Sequence, residues 1–308
     1  MATTKKTTKK TASKAAIKSK KTTTKSTKAV AKKLSAKKVS AAAAKKTVTT
    51  KARFTKSKSP LMERLNLYNW ALAAIYAAQA AALVKLSDEK LFQVTTSYTT
   101  TDSLAESTLV QGSRTLFDIN IVYVLAFVLG VSALTHLYLA YSAGRTQYEK
   151  GIKENTNKLR WANYSLGGSV LVAAISMVIG VTDLASLLMI MGLTSTAFAL
   201  NMASSDETKE SKMMHMFKKK LGLLPWLVIG LYVLGSHKYG GSALDIPTLY
   251  IASAGFVGTL LIEINSKLTS KSIGRWADYI YSEQLYMLFS LALTSTVVWL
   301  IFLNLLSN

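Results

Sequence analysis

The sequence predicts an all-α membrane protein, a bundle of seven transmembrane helices behind a disordered, basic N-terminal tail. Three observations carry that reading. Half of the 308 residues are hydrophobic and the mean hydropathy is +0.24, yet the net charge is +22. Residues 1–58 hold 20 of the 38 Lys and Arg and no Asp or Glu, so charge and hydrophobicity occupy different parts of the chain. Beyond that segment, apolar runs of about 20 residues recur, the length that an α-helix needs to cross a hydrocarbon core of ~30 Å.

The first 58 residues are almost wholly Lys, Thr, Ala, Ser and Val in loose KKT, AKK and TKS units. Such a composition cannot bury enough apolar surface to offset its ordering entropy, so this domain is expected to be disordered and residues 59–308 to form the membrane domain. Dense Lys without interleaved aromatics suits sequence-independent contacts to phosphate, in nucleic acid or in anionic lipid. Both partners stay open, with lipid favoured by proximity. No apolar core follows within sixty residues, which excludes a secretory signal.

The predicted spans are residues 66–86, 116–141, 160–181, 184–203, 221–236, 247–266 and 280–304. Only Thr182 and Asp183 separate the third from the fourth, which predicts a tight antiparallel pair. Between the first and second lies LFQVTTSYTTTDSL, whose β-branched and polar residues alternate; it reads as a two-stranded ribbon or a solvated loop. Alternate loops are basic. Arg145, Lys150, Lys153, Lys158 and Arg160 fall in one, Lys209, Lys212, Lys218, Lys219 and Lys220 in the next, and Lys267, Lys271 and Arg275 in the third. Because Lys and Arg near span ends stay in the cytoplasm, the N-terminus is expected inside and the C-terminus outside.

Several chemistries are excluded. There is no Cys, and the three His at 136, 215 and 237 form no metal-ligand spacing. Nor is there a row of carboxylates for proton pumping, a nucleophile constellation, or the internal repeat of a transporter. The expected protein is not an enzyme. Asp118 and Glu283, near span ends, read as structural charges pairing with Arg114 or helix termini. Trp161, Trp226 and Trp276 read as interfacial anchors. Gly167 and Gly168, with Ser165 and Ser169, permit close helix approach. His136 and Asn163 are expected to share a polar cluster.

The ordered landmarks ERLNLYNWALAAIYAAQAAALVKLS, VTTSY, LFDINIVYVLAFVLGVSALTHLYLA, RWANYS, IGRWADYIYSEQLYMLFSLALTS and Trp299 resemble the heliorhodopsins. These are rhodopsin-like seven-helix proteins with inverted membrane orientation. The resemblance covers residues 61–305 and implies a homodimer and a retinal pocket. It places the retinal-binding Lys of the family at Thr294 of this chain and the carboxylate counterion at Asn163. A His of the first span corresponds to Tyr76, whereas His136 matches. An imine requires a primary amine, so Thr294 cannot bind retinal covalently, and no Lys follows Tyr279. Thr294, Asn163, His136 and Trp299 are therefore expected to mark a vestigial retinal pocket, without covalent cofactor but open to noncovalent retinal or another apolar ligand. The expected role is a sensor, binding or scaffold protein, with two alternatives: a membrane anchor whose tail tethers nucleic acid or anionic lipid, and a photoreceptor with noncovalent chromophore.

Overall fold

The computed structural model describes residues 60–101, 109–203, 212–240 and 246–307. The expected disordered tail, and Lys209 of the second basic loop, lie outside the described residues. Among the described residues, seven helices are long and apolar enough to cross a membrane. The first span is α1, Pro60–Leu86, with Pro at its first position, where no backbone N–H is needed. It leads to the strands β1, Leu91–Thr101, and β2, Leu109–Asn120. These form an antiparallel hairpin with a bulge after Val94, settling the choice between ribbon and loop.

The second span, α2, is Ile121–Ala140 and starts later than expected. Residues 116–120 are apolar enough to prolong the hydropathic run, but Phe117–Asn120 pair with β1, and Asp118 sits exposed opposite Gln93 instead of inside a helix. Asn120 then caps α2, its side-chain oxygen accepting from Val122 N at 3.0 Å.

A short amphipathic helix, α3 (Ser142–Lys153), links the second and third spans. The third span comprises α4, Lys158–Asn163, a π-helical turn at Tyr164–Gly168, and α5, Ser169–Val178. It ends at Gly180, whose φ of 105° allows Val181 N to close back on Ser176 O at 2.9 Å. The fourth span, α6, is Leu184–Ala203. The fifth, α7, runs from Lys212 to Tyr239 through Pro225, longer than its apolar stretch because Lys favours helix as well as Leu does. α8, Ile246–Ser270, and α9, Tyr279–Ser307, complete the bundle.

The hairpin docks on the connection between the third and fourth spans. Thr95 N donates to Thr182 O at 2.9 Å, and Ser97 N to the Asp183 carboxylate at 3.3 Å. Asp183 also accepts from Ser186 N and Ser186 Oγ, at 2.9 and 3.0 Å, capping α6. The Ser186 backbone N–H, with smaller help from the Ser186 hydroxyl and from Ser97, holds this carboxyl below its ordinary range.

Candidate functional site

Midway through the third span the π turn admits an extra residue, a departure from α geometry that recurs at functional sites. It directs Asn163, Tyr164, Gly167 and Gly168 to a cavity of about 70 Å³ between the spans. Six neutral polar side chains line it: Ser132 from α2, Asn163 from α4, Tyr164 from the π turn, Thr259 from α8, and Ser290 and Thr294 from α9. The remaining wall is apolar, with Leu171, Ile175, Phe198, Trp226 and Val297. Ser132 and Asn163 contact each other at 3.4 Å, and Tyr76 meets Ser290 at 3.3 Å. Tyr76 also interacts with Thr294.

Two expected site residues thus share one cavity, Asn163 and Thr294. His136 stands beside it, in a smaller void of about 10 Å³ that it shares with Asn163 and Ser290. The expected cluster takes a different form: the His136 ring nitrogen Nδ1 bonds Asn69 at 2.8 Å, and the ring stacks on Tyr76 with centroids 5.8 Å apart. Trp299 does not line the cavity. Its Nε1–H donates to Gln79 at 3.0 Å, on another face of α9. Trp226, expected at the membrane interface, is buried and lines the cavity, and Trp161 is buried among Tyr164, Phe198 and Tyr286.

The smaller void is also lined by a buried ionic cluster that α3 joins. Glu283 is 1 % exposed and Arg160 8 %. They form an ion pair, and the Arg160 guanidinium also lies 3.7 Å from the Tyr286 ring centre. The carboxylate accepts further bonds from Asn157 Nδ2 at 2.7 Å and Tyr148 OH at 3.3 Å. Burial, with the Glu283 carboxylate beside it, pushes the Tyr148 phenol well above its ordinary value, so it remains a donor. Arg160 is therefore no loop cation, and Glu283 pairs with neither Arg114 nor a helix terminus. The Arg-plus-Glu pairing across distant spans could have been suspected from two charges one turn inside apolar helices, since isolated charges there need partners. Asn69 gave no such signal.

A family model for heliorhodopsins matches residues 65–306, most of the chain and all seven spans. The chain belongs to the heliorhodopsin family. No curated protein matches this heliorhodopsin closely enough to be named as a relative. Membership makes the cavity the place to ask for retinal, and the lining answers in part. It presents no primary amine and no carboxylate. Among the described residues, the Lys of the apolar stretches, with the fifth counted from Lys220 to Tyr239, are Lys85, Lys158, Lys220, Lys238 and Lys267, and all stand in the end turns of those stretches. Retinal held as an imine does not fit this set of residues.

Proposed function

We propose that this heliorhodopsin works without covalently attached retinal, as a non-enzymatic membrane sensor or binding protein. The observation that carries the reading is the neutral lining: Thr294 and Asn163 stand where an amine and its counterion would be expected, and both face the same cavity. Loss of the two charges together is coherent, because a buried carboxylate without its cation is costly. Purified protein in nanodiscs, incubated with all-trans-retinal, is expected to develop no stoichiometric visible band. Borohydride should trap no retinyl group on any residue of the spans. A trapped adduct on a spanning residue overturns the proposal.

We also place the N-terminus, with its basic tail, in the cytoplasm, since Lys267, Lys271 and Arg275 lie at one end of the bundle and the weakly charged hairpin at the other. The lack of Cys gives a clean background for labelling. A membrane-impermeant maleimide should label a Thr99→Cys variant in intact cells and a Ser272→Cys variant only after permeabilisation. The reverse pattern sinks the orientation.

A further inference from the structure

Two basic connections meet at one end of the bundle: α3, and residues 271–278 between α8 and α9. The bond from Tyr148 of α3 to Glu283 near the start of α9 joins them. They dispose of their charge differently. In α3, Arg145 pairs with Glu149 at 2.8 Å and Lys150 with Glu154 at 3.8 Å, each one turn along the helix. Lys267 and Lys271 are also one turn apart, with Lys271 N donating to Lys267 O at 3.2 Å, but here the charges are alike. Such a pair repels. Arg275 adds a third exposed cation, and none of the three forms an ion pair with a described residue. Asp278, the one carboxylate of the connection, caps α9 by accepting from Ile280 N at 2.9 Å.

The connection that carries these cations is held in one shape. Ser272 and Gly274 turn the chain at φ of 49° and 56°. The buried Asn265 donates from Nδ2 to Ser282 O at 3.1 Å and accepts from Trp276 Nε1 at 2.8 Å, and Thr269 Oγ1 meets Ser282 Oγ at 2.7 Å. Trp276 packs edge-on against Tyr281, and the Arg275 guanidinium lies 4.5 Å from the centre of the same ring. An arginine laid on a ring keeps its N–H groups at the rim, where they match two oxygens of a phosphate. Ile273 is 48 % exposed among these charges and Trp276 is half-buried, the apolar and aromatic company of a surface at headgroup depth.

We infer that Lys267, Lys271 and Arg275 form a binding site for the phosphate of an anionic glycerophospholipid in the adjoining leaflet, with Ile273 and Trp276 against its glycerol and upper acyl chains. The position selects a lipid. The cations stand at the ends of two spans, beside which lipid phosphates are already concentrated in the plane of the bilayer, and an anion between Lys267 and Lys271 relieves their repulsion. A connection fixed in advance also has less to lose in ordering when the lipid arrives. The site is separate from the cavity and does not depend on what the cavity holds.

The test uses the full chain with Ala277→Cys labelled by bimane, in phosphatidylcholine nanodiscs that contain doxyl-labelled phosphatidylglycerol or doxyl-labelled phosphatidylcholine at equal mole fraction. Quenching is expected to report at least ~5-fold enrichment of phosphatidylglycerol, the gain from one basic residue close to an anionic surface. Lys271→Gln with Arg275→Gln should remove most of it. Lys150→Gln with Lys153→Gln, which subtracts the same charge from exposed positions of α3, should leave it within about twofold. Equal quenching by the two lipids in the wild type overturns the inference. So does an equal loss in the two double variants, which would assign the enrichment to diffuse charge, the tail's included. Inorganic phosphate at constant ionic strength should leave the quenching unchanged; displacement by it would identify a site for the soluble anion and overturn the lipid reading.

Discussion

Replacing Glu283 by Leu is expected to destabilise the bundle by about 3–5 kcal/mol, because it strands the buried Arg160 guanidinium without a counter-charge. The same carboxylate accepts from Tyr148 and Asn157, so the substitution also removes the point at which α3, the third span and the seventh span are held together. Arg160→Leu should cost a similar amount by leaving the carboxylate unpaired. The double variant should recover much of the loss, since an apolar pair of similar volume carries no desolvation penalty. Thermal unfolding in detergent across the four proteins measures the coupling. A single Glu283→Leu change that costs less than ~1 kcal/mol would show the ion pair to be as dispensable as one on the surface.

Placing an amine and a carboxylate in the neutral cavity is expected to convert the protein into a pigment. Thr294→Lys alone supplies an amine within the cavity, but its imine would lack a counter-charge and remain unprotonated, absorbing in the near ultraviolet. Adding Asn163→Glu, from the third span in the same cavity, should stabilise the protonated imine, because a carboxylate close by favours the cationic form. A visible band should then appear with retinal. Leu293→Ala provides the room if the first two changes alone do not. A triple variant that keeps the wild-type melting profile and still forms no adduct would show that the cavity has lost the shape, and not merely the charges, that retinal needs.

The spans were legible because hydropathy reports which segments leave water, and the family was legible because landmarks such as RWANYS retain their order. What hydropathy does not report is direction. Arg160 reads as a loop cation when counted by position, yet one turn inside a helix a side chain can point to protein as readily as to solvent. Trp299 stands five residues from Thr294, which turns it about 140° around the helix and away from the cavity. Asp118 was hidden by an apolar run that belongs half to a strand and half to a helix. Asn69, which orients His136, is one polar residue in a long apolar segment, and only three-dimensional proximity gives it meaning.

The docking of the hairpin on Thr182 and Asp183 also sets a timetable. The hairpin is complete at Asn120, but its seat does not exist until the ribosome has added Asp183 and Ser186. At about 5–20 residues per second that is a wait on the order of seconds. During it, the strands have each other and nothing beneath them. The hairpin therefore has to stand on the first two spans alone until the connection between the third and fourth arrives to seat it.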